Sequence, residues 1–215
     1  MFINIHTHNE IFDAKVEIIS LSPGDSLKPN FHSRGIHPWK IAKNYKQELS
    51  QLKLIANERR CIAIGECGLD KYSDVDFELQ KTVFEEHIKL ANELNKPLII
   101  HCVKAHSELI AILKKLENKV PVIVHGFNNN LSTANSLLKN GIILSFGKAL
   151  LNYESNAVEA LRNSGRDKFF LETDDSEVSI KYIYKKAAEV LFINEDILKE
   201  QLKSNFRKVF KEEIL

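Results

Sequence analysis

The chain has 215 residues, of which 44% are hydrophobic and 27% are charged, as in an ordinary globular protein. This length is enough for one domain with a substantial core and is short for two, so we expect a single domain over residues 1–215. The 30 basic and 29 acidic residues give a formal net charge of +1, which excludes a strong overall field for attracting polyanions. A nucleic-acid substrate would therefore require a local basic patch or bound metal ions.

The cysteine count and the apolar segments indicate the cellular compartment. There are three cysteines, Cys61, Cys67 and Cys102, and no two of them form a C-x-x-C motif. An odd number of cysteines argues against a framework of disulfides and indicates a reducing compartment. No signal-peptide pattern opens the sequence, and no apolar run approaches 18 residues. We expect a cytoplasmic protein without a membrane partner.

Eight short apolar, β-rich segments follow one another along the chain. They are Phe2–Ile5, Val16–Leu21, Phe31–Ile36, Cys61–Ile64, Pro97–Ile100, Val120–Val124, Gly141–Phe146 and Phe169–Leu171. Continuously apolar strands are typical of parallel sheets covered on the outside, and most of these are separated by helical patterns. The alternation predicts an α/β fold, and eight such strands predict a TIM-like (β/α)8 barrel.

Two connections are too short for this pattern. Only Asn9 to Lys15 and Ser22–Asn30 join the first three strands, and a crossover helix needs a dozen or more residues. We therefore expect a distorted barrel in which the helices after strands 1 and 2 are shortened or missing. The flank of strands 1–3 would then be covered by the C-terminal helical segment Glu195–Phe210 or by a second subunit in a homo-oligomer.

Residues that can bind metal stand at the ends of several predicted strands. The first strand ends in His6-Thr7-His8, and residues i and i+2 share one face of a strand about 6–7 Å apart. Taken alone, this pair is weak support for a metal site. Together, however, the candidate ligands number six: His6, His8, Glu66, His101, His125 and Asp174. The carboxyl ends of barrel strands share one rim, so these groups should cluster, and a cation would offset their burial.

The order of these residues resembles the TatD family of the amidohydrolase superfamily. The matching motifs are His6-x-His8, Gly35-Ile36-His37-Pro38, Gly65-Glu66-Cys67-Gly68-Leu69-Asp70, His101, His125, Glu172-Thr173-Asp174 and Asn205 through Phe210. The resemblance spans nearly the whole chain. It implies a TIM-like barrel, two divalent ions such as Zn, Mn or Mg, and metal-dependent nuclease or phosphoesterase activity on DNA or another phosphodiester.

The same resemblance implies a division of the ligands between two ions. One ion would be held by His6, His8, Glu66 and Asp174, and the other by Glu66, His101 and His125, with Glu66 bridging the two. Four segments depart from the usual family pattern: Asn9-Glu10, Lys104, Gly126-Phe127-Asn128-Asn129 and Asp175-Ser176. These departures concern the substrate pocket more than the ligands.

The catalytic roles follow as hypotheses. Asp174 would accept a proton from the attacking water while contacting one metal, and Glu66 would share in catalysis as the bridging ligand. His37, restricted by Pro38, and Lys104 would contact the substrate or its leaving group. Trp39 is expected to cap the core, with stacking on a base as the alternative.

Three other functions are compatible with parts of the pattern. A small-molecule amidohydrolase or esterase could use the same two-metal site, and the near-zero net charge favours it slightly. A barrel that retained its metal could serve as a binding or scaffold protein. A histidinol-phosphatase-like PHP barrel also begins with H-x-H, although G-E-x-G-L-D fits it less well.

Overall fold

The computed structural model describes residues 1–9, 13–26 and 29–213, and these residues alternate between strands and helices. The strands are β1 (Ile3–Thr7), β2 (Val16–Leu21), β3 (Phe31–Arg34), β4 (Cys61–Asp70), β5 (Leu98–Val103), β6 (Val122–Val124), β7 (Ile143–Phe146) and β8 (Phe169–Leu171). The α-helices are α1 (Tyr45–Ile55), α2 (Phe77–Leu94), α3 (His106–Lys115), α4 (Leu131–Lys139), α5 (Asn156–Asn163), α6 (Ile180–Leu191) and α7 (Glu195–Phe210). Two 3-10 helices lie at Pro38–Lys40 and Lys148–Leu151.

The eight strands form one sheet in chain order, from β1 to β8. Thr7 in β1 forms a parallel bridge with Asp174, in the segment that follows β8. The last strand segment therefore returns to the first, which nearly closes the sheet as a parallel barrel. The predicted TIM-like α/β fold is confirmed.

The connections after β1 and β2 contain no helix in the residues that the structure describes there. Residues 10–12, including Glu10 of the family departures, and residues 27–28 lie outside the described part of the chain. The predicted C-terminal cover is present on β1, because α7 packs against that strand. The phenolic hydroxyl of Tyr184 in α6 also donates to the carbonyl of Ile3 and accepts its N–H, both at 3.1 Å. A homo-oligomer through strands 1–3 stays a prediction.

Contacts divide the chain into two compact units, the first formed by Met1–Ile19 and Val124–Leu215. Its core contains aromatic side chains, among them Phe127 and Phe146, whose rings meet edge to face at 6.0 Å. The buried side chain of Asn205 in α7 donates to the carbonyl of Phe169 at 3.2 Å. This bond fixes α7 to the first residue of β8 and gives the C-terminal family motif a structural role.

The second unit comprises Ser20–Ile123, with β4 at its centre. β4 pairs in parallel with β3 on one side and β5 on the other, and α2 packs against it. The side chain of Gln80 in α2 accepts the N–H of Asp70 at 2.8 Å and donates to its carbonyl at 3.0 Å. Both backbone groups at the end of β4 are thus satisfied by one buried amide. Cys61, Cys67 and Cys102 are buried free thiols.

Three strands extend further than their apolar runs predict. β1 continues through Thr7, β4 through Asp70 and β5 through Val103, so that His6, Glu66 and His101 lie within strands rather than after them. Polar residues at these positions interrupt the apolar pattern without interrupting the backbone ladder. In these three strands the apolar run therefore marks the start to within one residue and places the end too early.

Gly68 allows β4 to approach β5 closely. Its φ is +140°, and a Cβ atom built there would lie 2.0 Å from the carbonyl oxygen of His101. That distance is far below any real contact, and the obstructing atom is backbone. A side chain at residue 68 would therefore displace the strand that carries His101.

We predict that Gly68→Ala destabilises the fold by about 2–4 kcal/mol, because the backbone of one strand must shift. For a chain of this size the melting temperature should fall by roughly 5–15 °C. Gly24→Ala is the matched control, since a Cβ at Gly24 meets no atom within 4 Å. Equal melting temperatures for the two variants would show that the strands are not held this closely.

Candidate functional site

The pairing between β1 and the segment after β8 brings three candidate ligands together. The N–H of Asp174 donates to the carbonyl of His6, and the N–H of His8 donates to the carbonyl of Asp174, each at 3.0 Å. Asn4 adds a side-chain bridge, because its amide donates to the Thr173 hydroxyl at 2.8 Å and accepts the Thr173 N–H at 3.1 Å. Residues far apart in sequence are thus held in register by backbone geometry.

The first group of candidate ligands, here the β1–β8 cluster, consists of His6, His8, His125 and Asp174. Asp174 Oδ1 lies 3.7 Å from His6 Nε2 and 3.6 Å from His8 Nε2. The rings of His6 and His125 are 4.2 Å apart, and His6, His125 and Asp174 each offer a ligand atom within 4.8 Å of the others. His6 and His125 are buried, whereas the Asp174 side chain is 31% exposed and can meet solvent.

A buried carboxylate orients His125. Glu172 is fully buried, and its Oε1 lies 3.3 Å from His125 Nδ1 and accepts the N–H of Gly126 at 2.6 Å. A proton on Nδ1 that faces this carboxylate leaves Nε2 as the ring's electron-pair donor. Carboxylate partners of this kind fix the tautomer of metal-binding histidines and raise their basicity.

The second group, here the β4–β5 cluster, consists of His37, Glu66 and His101, all in the unit Ser20–Ile123. Glu66 Oε1 lies 3.2 Å from His37 Nε2 and 3.3 Å from His101 Nδ1. Glu66 is buried, and the two histidine side chains are each 15% exposed. One carboxylate oxygen therefore faces two imidazoles in a nearly closed space.

Asp70, the last residue of β4, orients His101. Its Oδ2 accepts from His101 Nε2 at 2.9 Å and from the indole N–H of Trp39 at 2.7 Å, while Oδ1 accepts the N–H of Tyr72 at 2.8 Å. Burial by itself raises the pKa of Asp70, but the three donors outweigh it and hold the pKa below its usual range. The ionised carboxylate keeps a proton on His101 Nε2 and directs the lone pair of Nδ1 toward Glu66.

A short 3-10 helix positions His37. Pro38 occupies its first position, where the missing N–H costs nothing, and His37 Nδ1 accepts the N–H of Trp39 at 3.1 Å. When neutral, His37 therefore carries its proton on Nε2, which faces Glu66. The preceding residue, Ile36, donates its N–H at 2.9 Å to Nε2 of His87 in α2. Burial lowers the pKa of His87 to about 4, so this acceptor stays neutral.

The donor sets of both clusters suit a divalent cation. Imidazole and carboxylate groups are ligands that Zn, Mn, Fe and Ni accept. In the β4–β5 cluster these donors are His101 and Glu66, because the N–H of Trp39 occupies Nδ1 of His37 and leaves the proton of that ring on Nε2. Ligand bonds near 2.1 Å at tetrahedral angles separate neighbouring donor atoms by about 3.4 Å. Asp174 Oδ1 lies 3.6–3.7 Å from Nε2 of His6 and His8, and Glu66 Oε1 lies 3.3 Å from Nδ1 of His101, so these residues fit such an ion without rearrangement of the backbone.

Backbone conformation singles out two of the predicted site residues. Among the described residues, six other than glycine have positive φ, and four of these lie at the C-terminal ends of helices, where such values are common. The other two are Asp174 and Lys104, both with φ of +54° and both just beyond strands. Unfavourable backbone conformations held by surrounding structure are enriched at functional sites.

The structure thus distributes the predicted residues between two clusters. His125, assigned by resemblance to the second ion, lies with His6 and Asp174, and His37, predicted to contact substrate, lies against Glu66. Lys104 is exposed at the end of β5. The expectation that Trp39 caps the core is wrong, because the residue is 62% exposed, with its indole N–H donating to Asp70.

Asp70 and Glu172 stand within the family motifs, but their sequence context assigned neither a role. The available signal was that Asp70 ends β4 and Glu172 directly follows β8, so that each acid lies at the carboxyl end of a strand. Asn9, a departure from the family pattern, has a visible role: its side-chain amide donates to the carbonyl of Asp175 at 3.1 Å. Asp175, another departure, pairs with Lys148 at 2.7 Å. Both contacts fix the segment that follows Asp174.

A family profile described as TatD related DNase matches residues 3–211. An uncharacterized metal-dependent hydrolase of Buchnera aphidicola subsp. Baizongia pistaciae is 37% identical over 150 residues, which cover 68% of this chain and 56% of that protein. A protein of Cronobacter sakazakii named 3'-5' ssDNA/RNA exonuclease TatD is 31% identical over 112 residues, covering 51% and 43%. The chain spans about half the length of the curated relatives it matches.

Comparison with solved structures supports the same fold. YJJV, a TatD homologue from Escherichia coli K12, superposes with a TM-score of 0.82 at 21% identity, covering 99% of this chain and 98% of that one. At this identity the likeness establishes the fold alone. None of the described helices is long and apolar enough to cross a lipid bilayer.

We predict that Asp70→Asn weakens metal binding about 10–100-fold, the usual effect of removing a partner that orients a ligand. Three donors converge on Asp70, and an amide has only one acceptor oxygen, so His101 loses its fixed orientation. Isothermal titration with Mn or Zn after chelation measures the effect. Asp74→Asn, at an exposed carboxylate in the next turn, is the control, and an affinity unchanged by Asp70→Asn contradicts the assignment.

Proposed function

Because this chain belongs to the TatD-related DNase family, we propose that it is a divalent-metal-dependent hydrolase of phosphodiester bonds in nucleic acid. The observation that carries the proposal is the presence of two imidazole–carboxylate clusters at the carboxyl ends of strands. The exonuclease name of the Cronobacter sakazakii relative supports the substrate class.

We assign one ion to His6, His8, His125 and Asp174 and the other to His101, and Glu66 would be a ligand of both. The shared Glu66 is what the family resemblance implies, whereas the assignment of His125 to the first ion rests on its proximity to His6. Bound divalent ions acidify water to supply a nucleophile near neutral pH and offset the charge on a phosphoryl oxygen. The protein's own contribution is to orient the imidazoles. Glu172 fixes His125 and Asp70 fixes His101, so the donor atoms need little rearrangement when an ion binds.

Asp174 is the proposed general base. Its carboxylate is a ligand candidate that stays partly exposed, so a water molecule can reach the second oxygen while Oδ1 faces His6 and His8. The φ of +54° and the two backbone hydrogen bonds to β1 fix its direction. A carboxylate held this way can take the proton of the attacking water and return it to solvent.

His37 and Lys104 are the proposed substrate contacts. The Trp39 N–H occupies Nδ1 of His37, so Nε2 carries a proton that can be donated to the oxygen of a leaving group. Lys104 lies three residues after His101 and is exposed. Its ammonium group would supply a positive charge for a phosphate of the substrate. Such local charge is needed because the net charge of the chain is only +1.

We predict that Asp174→Asn lowers turnover of a single-stranded oligonucleotide about 100-fold or more while leaving the fold intact. The amide keeps the shape of the carboxylate but cannot accept the proton. Glu177→Gln is the control, because this carboxylate lies three residues further on and is exposed. Rates of Asp174→Asn equal to those of the unaltered chain would remove Asp174 from the mechanism.

Metal stoichiometry provides a second prediction. The chain should bind about two Mn or Zn ions, and activity should disappear with chelator and return when the metal is added back. His101→Asn should leave about one ion bound. Glu66→Gln should weaken the binding of both ions, because Glu66 is the proposed ligand of both. His37→Gln should keep both ions and lose rate. Elemental analysis after dialysis decides these outcomes, and a single ion in the unaltered chain contradicts the two-ion assignment.

A parallel assay tests the substrate class. The metal-loaded chain is offered an oligonucleotide, a generic phosphodiester and a panel of amides and carboxylic esters. Cleavage of the first two supports the proposal. Hydrolysis confined to the amides or esters would instead identify a small-molecule amidohydrolase or esterase.

A further inference from the structure

Trp39 is a large exposed aromatic side chain beside the β4–β5 cluster. Its ring centroid lies 5.2 Å from that of His37 and 5.9 Å from that of His101, with interplanar angles of 88° and 73°. Even so, 62% of the residue is exposed. A face of its indole ring is therefore open to an incoming aromatic group, beside the residues of the cluster.

The exposed indole is held in place. Its N–H donates to the buried carboxylate of Asp70 at 2.7 Å, and its own backbone N–H donates to His37 Nδ1. A side chain fixed at both its polar atom and its backbone loses little conformational freedom when another ring stacks on it. The indole is therefore a rigid platform next to the residues proposed to act on the phosphodiester.

Two exposed lysines extend from the same segments. Lys40 follows Trp39 directly, and Lys104 follows His101 by three residues. Proteins that bind single-stranded nucleic acid combine aromatic platforms, on which bases stack, with cations that contact the backbone phosphates. A base within a duplex has no open face to offer such a platform, whereas an unpaired base has one.

We propose that Trp39 forms a base-stacking subsite that receives a nucleobase of single-stranded nucleic acid next to the cleaved phosphodiester. This inference rests on the proposed function and deepens it by assigning a specificity-determining residue. Stacking does not depend on the identity of the base, because every base has a π face. The subsite should thus favour single strands over duplexes without selecting a sequence.

The chain offers a direct reporter, because Trp39 is its only tryptophan. Tryptophan-selective fluorescence is measured during titration with a phosphorothioate oligodeoxyadenylate, which resists cleavage, and with an abasic phosphorothioate oligomer of the same length. We expect saturable quenching by the base-bearing strand and roughly tenfold weaker binding of the abasic strand. Equal binding of the two strands, or no quenching, would overturn the subsite.

Kinetics on ordinary phosphodiester substrates separate stacking from the contact with Asp70. Trp39→Leu should lower kcat/KM roughly tenfold on the base-bearing strand and leave the abasic strand within about twofold. Trp39→Phe keeps an aromatic ring but loses the indole N–H, so it should retain most activity on the base-bearing strand. Phe192→Leu, at an exposed aromatic residue just after α6, is the control and should change neither substrate.

The outcomes distinguish this proposal from the function on which it rests. If Trp39→Leu impairs both substrates equally, Trp39 acts through Asp70 and the subsite is wrong, although the hydrolase stands. If the unaltered chain cleaves both strands but shows no quenching, the subsite is likewise wrong. If the metal-loaded chain cleaves no phosphodiester, the proposed function fails, whatever the fluorescence shows.

Discussion

The backbone pairing between β1 and the segment after β8 is the interaction on which the first cluster depends. Two hydrogen bonds, from Asp174 to His6 and from His8 to Asp174, join parts of the chain that are otherwise remote. They determine which way the side chains of all three residues point before any ion is considered. The donor set of the β1–β8 cluster is therefore a consequence of this pairing, and a displacement of the register by one residue would turn each of its ligands to the opposite face.

Two carboxylates that hydrogen-bond to candidate ligand histidines determine which ring nitrogen of each histidine is available to a metal ion. Asp70 and Glu172 are buried, and each faces the ring nitrogen that the cation would not use. Buried negative charges of this kind would be costly without donors, and the structure supplies them from backbone N–H groups and the Trp39 indole. The chemistry proposed here thus depends as much on these two acids as on the ligands.

The sequence was sufficient for the order of the strands, the closed fold and six candidate ligands, because all of these follow from apolar periodicity and from residues at strand ends. It placed the ends of β1, β4 and β5 too early, because polar ligands within a strand interrupt the apolar pattern but not the hydrogen bonding between strands. It did not show the proximity of His37 to Glu66, which depends on the 3-10 helix and on His87 in α2. It misplaced Trp39 because hydrophobicity does not reveal that a tryptophan is held at the surface by hydrogen bonds to Asp70 and His37.

The first unit is formed by two separate segments of the chain, and this separation delays its completion during synthesis on the ribosome. Thr7 emerges early, but its partner Asp174 lies 167 residues later, which at 5–20 residues per second is a delay of roughly 10–30 s. During this interval the apolar strand β1 has no β8 to join, whereas Ser20–Ile123 is contiguous and can complete its contacts as it emerges. The nascent polypeptide can therefore acquire the His37–Glu66–His101 arrangement before the one built around Asp174, and β1 waits for its β8 partner until synthesis has passed Asp174.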